Sequence, residues 1–312
     1  MKRIIIYFSV IIALLVGAIC LVFYNPKVEY NEDIKRYVCV MNEGGSYWTE
    51  VLAGIEEADK EMGTYTKKIS FPRFDVEEQI NQLDKIDYLQ VDGVITVGEP
   101  FSEKLNQKIE SIVERGIPVV LIDTDSDKSK RTCYIGSNNY QVGLMAAQKM
   151  EQITGGNAQI LVLVSELMSA NQQERYNGFY EGIMKYAGMQ IVTVQECKAD
   201  KATAIKNIKS TLEQHGSINA VFCAESSSSS PIGSLLESEY DKYKDIKVIG
   251  FDAAKSTLRY VEEGLFQCTI KQNAFKIGQE AVSYLNNYKE NQEESKREIY
   301  IDVEFITKSD EN

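Results

Sequence analysis

The chain has 312 residues and a formal net charge of −12 at pH 7. An acidic balance of this size argues against nucleic-acid binding, which needs a basic face. The chain has one histidine, His215, and six cysteines without a CxxC motif, which argues against Ser-His-Asp catalysis, Cys-His catalysis and zinc sites. We therefore expect no catalytic residue of these kinds, no metal and no cofactor.

The first predicted element is a membrane-spanning helix over residues 4–23. This run carries no charge and follows Lys2 and Arg3. At about 1.5 Å per residue it makes roughly 30 Å of helix, which is enough to cross the core of a lipid bilayer. Basic residues on the short side predict a cytoplasmic N-terminus, with the rest of the chain extracytoplasmic at the cell membrane. A cleaved signal peptide is the alternative, although the run is longer than a usual signal core.

From residue 36 onward, short runs rich in valine and isoleucine alternate with longer stretches of helical periodicity. The strands are apolar along their whole length, which is typical of parallel sheets covered by helices on both faces. The fold class is therefore α/β, and the strands divide into two doubly wound sets. The predicted strands, in chain order, are YVCVM, KKISF, DGVITVG, IPVVLID, AQILVLVS, MQIVTVQE, NAVFCA, IKVIGFD and, at the end, EIYIDVEFI.

Several of these strands end in acidic or aromatic residues. Ligands of doubly wound sheets bind beyond the carboxyl ends of the strands, where Asp123 and Asp252 stand. Two such carboxylates suit either glycoside hydrolysis or hydrogen bonds with sugar hydroxyls, and we favour the second. The first predicted helix starts with Tyr47 and Trp48, the only tryptophan. This pair indicates either a sugar-stacking surface or a hydrophobic staple at the helix start.

Two smaller features concern loops and thiols. The SSSSSP segment after the NAVFCA strand is interpreted as a binding loop that ends in a helix start, with Pro231 in the first turn. Cys133 and Cys197 look like the more exposed thiols, and the sequence leaves open whether they form a disulfide. The charged stretch over residues 289–298 is interpreted as a solvated loop.

Taken in order, the strand-end segments resemble the type I periplasmic binding proteins, in particular the ribose-binding-like, sugar-binding group that serves ABC transporters. The resemblance covers about residues 36–306, and it implies two lobes joined by a three-strand hinge. The segments that carry it are Asn42 with Tyr47 and Trp48, Gly54 with Ala58, GIPVVLIDTD, YIGSNNYQVGLMAA, ERYNGFYEGI, VIGFD and CTIKQN.

The resemblance implies a ligand site between the lobes. The aromatic pair would contact the C–H surface of a sugar ring, and polar side chains at the strand ends would fix its orientation. The candidate ligand-binding residues are Asn42, Tyr47, Trp48, Asp123, Thr124, Gln173, Glu225, Ser227, Asp252 and Gln272.

The chain also departs from the family pattern. Thr124 and Gln173 stand where sugar-binding relatives often carry arginine, and Glu225 and Ser227 are ambiguous equivalents of an Asn-Asp pair. Arg175 matches a family arginine, to which we assign a structural role. Since two bidentate donors are lost, the identity of the ligand stays open.

Two ligand classes follow from these departures. A neutral monosaccharide or polyol is favoured, and a cationic ligand that meets Glu43, Glu99 or Glu225 is the alternative.

The sequence therefore predicts a non-enzymatic solute-binding protein, anchored in the lipid bilayer through residues 4–23. Its partner would be the membrane permease of an ABC importer or, alternatively, the sensor kinase of a two-component system. A glycosidase is a remote alternative, and a repressor is disfavoured because no helix-turn-helix precedes the α/β part. The predicted domains are an anchor at 1–24, a tether at 25–35, an N-terminal lobe at 36–136 with 273–298, and a C-terminal lobe at 137–272 with 299–308.

Overall fold

A computed structural model describes residues 34–71, 75–165, 170–197, 200–288 and 298–308. The predicted membrane helix at 4–23 lies outside these residues. Within them, no helix combines the length and the apolar character that crossing a membrane requires.

The described strands form two six-stranded sheets, which confirms the α/β prediction. The first sheet has the order β11-β5-β4-β3-β1-β2 and is parallel throughout. The second has the order β12-β10-β9-β8-β6-β7, and only β12 runs antiparallel to its neighbour. The strands are β1 (Arg36–Asn42), β2 (Tyr65–Phe71), β3 (Gly93–Val97), β4 (Val119–Ile122), β5 (Cys133–Gly136), β6 (Ala158–Val164), β7 (Met189–Glu196), β8 (Ala220–Cys223), β9 (Lys247–Phe251), β10 (Cys268–Gln272), β11 (Glu298–Tyr300) and β12 (Val303–Thr307).

Helices cover both faces of each sheet. The helices are α1 (Gly45–Met62), α2 (Val76–Asp84), α3 (Glu103–Val113), α4 (Asn139–Thr154), α5 (Ala170–Ile183), α6 (Lys201–Gln214), α7 (Ser226–Ser238), α8 (Tyr240–Tyr243), α9 (Lys255–Glu262) and α10 (Ala274–Asn287). In the first lobe α1 and α10 share one apolar cluster with the sheet, and α2 and α3 share the other. The second lobe has a single large cluster around its sheet.

Local sequence explains where many helices begin and end. The Asp75 side chain accepts hydrogen bonds from the backbone N–H groups of Glu77 and Glu78 (2.9 and 3.1 Å) and so caps α2. Gly63 and Gly155 end α1 and α4 in the left-handed conformation, at φ 68° and 63°, which glycine adopts without a steric penalty.

Two glycines allow α1 and α10 to pack in backbone contact. A Cβ atom on Gly54 would lie 2.0 Å from the carbonyl oxygen of Phe275, and one on Gly278 would lie 2.0 Å from that of Val51. Both distances are far below van der Waals contact, so the crossing requires residues without a side chain. This crossing fixes α1, whose N-terminus carries the aromatic pair.

In the order of the described strands, the chain passes between the two sheets three times. The crossings follow β5, β10 and β11, and hydrogen bonds tie them together. The Ser137 hydroxyl donates to Gln272 Oε1 (3.1 Å), and the Ile301 N–H donates to the Gly136 carbonyl (2.8 Å). Because these contacts lie next to the strand ends, a movement at the crossings changes the distance between the two sets of strand ends.

Three sequence interpretations need correction. The predicted last strand is two short strands, because the chain crosses from one sheet to the other within it. The strand β11 pairs with β5 at the edge of the first sheet, and β12 pairs with β10 at the edge of the second. The serine run is helical from Ser226 onward, and Pro231 lies inside α7 rather than in its first turn. Cys133 and Cys197 are buried, and in the described part of the chain neither forms a disulfide.

Candidate functional site

A cleft of about 480 Å³ lies at the carboxyl ends of strands from both sheets. The cleft brings together nine of the ten candidate residues: Asn42, Tyr47, Trp48, Asp123, Thr124, Glu225, Ser227, Asp252 and Gln272. The tenth candidate, Gln173, is an exposed residue of α5 outside this lining.

The two aspartates share an unusual backbone conformation. Asp123 and Asp252 follow β4 and β9 directly, and both have positive φ angles, 64° and 61°. Non-glycine residues rarely adopt this left-handed region, although aspartate and asparagine tolerate it better than others. Backbone strain of this kind concentrates at functional sites. The strain is repeated at corresponding strand ends of both lobes, and both residues line the cleft.

Asp123 connects the two lobes. Its Oδ2 atom accepts hydrogen bonds from the Thr124 hydroxyl (3.0 Å) and from Nδ2 of Asn171 (3.2 Å), which belongs to α5 in the other lobe. Burial raises the pKa of the Asp123 carboxyl, and the Arg175 guanidinium opposes this shift.

Asp252 accepts a hydrogen bond from Gln272 Nε2 (3.2 Å), whose Oε1 atom is held by Ser137. Burial, with smaller contributions from the carboxylates of Glu225 and Asp123, raises the pKa of Asp252 to about 7, although Gln272 and Arg175 act to lower it. The cleft therefore contains a carboxyl group that titrates near neutral pH when no ligand is bound.

Arg175 lines the cleft although it is only 2 % exposed. Its Nε atom donates to Asn139 Oδ1 (2.8 Å), Nη1 donates to the Ala224 carbonyl, and the guanidinium lies 4.1 Å from the ring centroid of Phe251. In the described part of the chain, Nη2 has no acceptor and no carboxylate forms an ion pair with this arginine. The structural role assigned from sequence is thus incomplete, because this arginine also presents donors to the cleft.

The aromatic pair lies in the first turn of α1. The Tyr47 and Trp48 rings are 5.0 Å apart and nearly perpendicular, at 83°, so they form a corner rather than one flat surface. A hydrophobic staple needs an apolar residue just before the cap, and Glu43 occupies that position. That alternative is therefore not supported.

The hydroxyl group of Tyr47 is buried beside the acidic residues. It interacts with the Asp123 carboxyl group, although the geometry falls short of a full hydrogen bond. Burial raises its pKa well above the usual value, and the carboxylates of Asp123 and Asp252 add to this effect. The neutral hydroxyl is therefore a donor that faces two carboxyl groups.

Glu225 stands at the start of α7 and explains why the serine run is helical. Its side chain accepts a hydrogen bond from the backbone N–H of Ser227 (2.8 Å) and so acts as the helix cap. The same carboxylate raises the pKa values of Asp123 and Asp252, after the larger effects of burial and hydrogen bonding. It therefore belongs to the acidic wall of the cleft.

Sequence reasoning did not single out several lining residues. They include Asn171 and Gln172 at the start of α5, Phe251 at the end of β9, and Ser165 after β6. Ser165 and Phe251 lie at or just after strand ends, which is the signal that could have found them, whereas Asn171 and Gln172 lie in the first turn of the helix that follows β6. Among the residues that the structure describes, no group of three histidine, cysteine or acidic side chains comes together as a metal site.

Residues 37–293 match the family model of the periplasmic binding protein domain. The chain belongs to this family. The resemblance to type I sugar-binding members is confirmed. Periplasmic binding proteins of this kind are solute receptors, so the prediction that the chain is not an enzyme is also confirmed.

Individual periplasmic binding proteins are similar to the chain over most of its length. It is 26 % identical to the ribose import binding protein of Bacillus subtilis over 232 residues, which make up 74 % of each protein. The structure of GanP, a glucose-galactose binding protein from Geobacillus stearothermophilus, superposes with a TM-score of 0.81 at 27 % identity and covers 89 % of this chain and 99 % of GanP. A chain of the XylFII-LytSN complex superposes with a TM-score of 0.78 at 29 % identity, and the alignment covers 89 % of this chain and 99 % of that chain.

Proposed function

We propose that the protein closes its two lobes around a monosaccharide or polyol and delivers it to the permease of an ABC importer. The observation that carries this proposal is the composition of the cleft, where an aromatic corner faces acceptors and donors from both lobes. Its similarity to proteins that bind ribose, glucose and galactose supports a sugar-sized ligand.

The cleft contains hydrogen-bond partners for a ligand that is rich in hydroxyl groups. The carboxyl groups of Asp123 and Asp252 accept hydrogen bonds from hydroxyls, and bonds to a charged partner contribute about 1.5–3 kcal/mol each. Arg175 supplies donors to ring or hydroxyl oxygens, because its Nη2 atom is not used by the described residues. Trp48 and Tyr47 cover the apolar C–H surface of the ring.

Closure of the lobes is supported by contacts that cross the cleft. The hydrogen bond from Asn171 to Asp123 joins α5 of the second lobe to the end of β4 in the first. A ligand that bonds to both walls adds to this bridge and stabilises the closed form, since it binds that form better than an open one.

The direct test is a thermal melt of the purified full-length chain with a panel of pentoses, hexoses and inositols. A ligand present at 100 times its Kd adds about 2.7 kcal/mol of stability. For a chain of this size that raises Tm by roughly 5 to 10 °C. If no member of the panel raises Tm, the sugar assignment is wrong.

A second candidate function is ligand reporting to a sensor kinase. The similarity to a chain that occurs in the XylFII-LytSN complex favours it, since that chain is found with a partner protein. A permanent membrane anchor would also suit a receptor that stays beside its partner. Genes for a permease and an ATPase next to this one would support import, whereas genes for a kinase and a response regulator would support sensing.

We also propose that residues 4–23 anchor the chain in the cell membrane, with the binding lobes outside the cytoplasm. The uncharged run and the basic residues before it support this orientation. Protease treatment of intact cells tests it. Loss of the lobes, with a short N-terminal fragment retained in the membrane, is expected, and complete protection would contradict the orientation.

A further inference from the structure

The lining of the cleft has more acidic than basic side chains. Four acidic groups and one guanidinium line it; these groups belong to Glu99, Asp123, Glu225, Asp252 and Arg175. Charges in a partly buried site interact strongly, because the effective dielectric constant is far below that of water. A neutral sugar accepts and donates hydrogen bonds but does not offset this repulsion.

The acidic residues face one another. The Glu225 carboxylate disfavours ionisation of both Asp123 and Asp252, and these two aspartates have the same effect on the Tyr47 hydroxyl. Thr124, which lines the cleft next to Asp123, is neutral and offers no positive charge to offset these carboxyl groups. Among the described residues that line the cleft, Arg175 is the one cation that acts on the aspartates of both lobes.

Arg175 provides an independent sign of the ligand. This residue is 98 % buried and lines the cleft. In the described part of the chain its Nη2 atom donates no hydrogen bond, whereas Nε and Nη1 each donate one. A ligand oxygen at this position in the cleft would therefore gain a hydrogen bond from the guanidinium. The ligand thus needs oxygen acceptors for the arginine and a positive charge for the carboxylates.

We propose that the preferred ligand is an amino sugar or amino polyol, whose ammonium group lies against Glu225 and the two aspartates while its hydroxyl oxygens meet Arg175. This inference rests on the proposed sugar-binding function and specifies the chemical class within it. The ammonium donates to the carboxylates without competing for the guanidinium. Glu225 is then the residue that distinguishes the amino compound from its neutral counterpart, because both aspartates also serve ordinary hydroxyls.

The test compares matched ligand pairs by calorimetry on the purified full-length chain. D-Glucosamine is paired with D-glucose, D-galactosamine with D-galactose, and an aminodeoxyinositol with inositol. In at least one pair we expect the amino compound to bind at least tenfold more tightly. Glu225→Gln should reduce that preference about tenfold, since glutamine removes the charge but still offers an oxygen to the Ser227 N–H.

Two further variants complete the experiment. Glu237→Gln is the matched control, because Glu237 lies on the same helix, is exposed and pairs with Arg259 outside the cleft. It should leave both affinities unchanged. Thr124→Arg introduces a cation into the cleft and should abolish the preference for the amino compound even if Glu225→Gln folds poorly.

The outcomes separate this inference from the function on which it rests. Equal or tighter binding of the neutral member in every pair overturns the amino-ligand inference and leaves the sugar-binding function intact. If neither member of any pair binds, both proposals fail. If both Glu225→Gln and Thr124→Arg still bind the amino compound more tightly than its neutral counterpart, the ammonium group does not lie against Glu225 and the two aspartates, and the inference is also wrong.

Discussion

Replacing Asp252 with asparagine should stabilise the ligand-free protein at alkaline pH. Burial and two neighbouring carboxylates raise the pKa of this carboxyl from 3.8 to about 7. Asparagine keeps the shape of the side chain and the acceptor for Gln272, and it tolerates the left-handed backbone at φ 61°. The substitution therefore removes the charge with little other change.

The sign and size of the effect follow from proton linkage. Between about pH 4 and pH 7 the folded protein holds a proton on Asp252 that the unfolded chain has lost, so the stability contributed by this group falls as the pH rises. Each pKa unit corresponds to about 1.4 kcal/mol, so the full penalty above pH 7 is at most about 4 kcal/mol. Because part of this penalty depends on the neighbouring carboxyl groups of Glu225 and Asp123, we expect about 2–4 kcal/mol.

Urea unfolding at pH 4.5 and pH 8 measures this difference. Asp252→Asn should exceed the wild type in free energy of unfolding at pH 8 and should approach it at pH 4.5. Asp245→Asn, at an exposed position, serves as the control and should match the wild type at both values. An asparagine variant that is less stable than the wild type at pH 8 would refute the reasoning.

Three other predictions concern packing, capping and the site. Gly278→Ala places a Cβ atom 2.0 Å from a backbone oxygen of α1 and should lower the free energy of unfolding by about 1–3 kcal/mol, whereas Gly216→Ala, with nothing within 4 Å, should not. Asp75→Ala should lose about 1 kcal/mol in the same urea assay, and Asp75→Ser should retain most of it. In calorimetry with a bound sugar, Asn171→Ala should weaken binding and Gln173→Ala should not; equal effects would contradict the placement of α5.

The architecture was largely predictable because hydrophobic periodicity alone separates buried parallel strands from the helices that cover them. Nine candidate residues share one cleft because the carboxyl ends of parallel strands point to the same edge of a sheet. The strand Cys133–Gly136 was not predicted, because its tyrosine and glycine interrupt the apolar run that marks β4 and β8, which are equally short.

Details that depend on helix rotation and lobe distance were harder to predict. Gln172 and Arg175 are three residues apart and lie on the same face of α5, toward the cleft, whereas Gln173 is rotated outward by about 100°. Alignment with a family motif therefore selected Gln173, whereas the neighbouring residue Gln172 lines the cleft. The hydrogen bond from Asn171 to Asp123 depends on how closely the lobes approach, which no local pattern encodes.

A fluorescence titration of the full-length chain tests the central claim most directly, because Trp48 is the only tryptophan and lines the cleft. The titrant is the sugar or amino sugar that raises Tm most. We expect a saturable change in Trp48 emission, with a Kd that agrees with calorimetry and is raised at least tenfold in Asp123→Asn. Tight binding by calorimetry with an unchanged Trp48 signal and an unaffected Asp123→Asn variant would place the ligand elsewhere and contradict the assignment of this cleft.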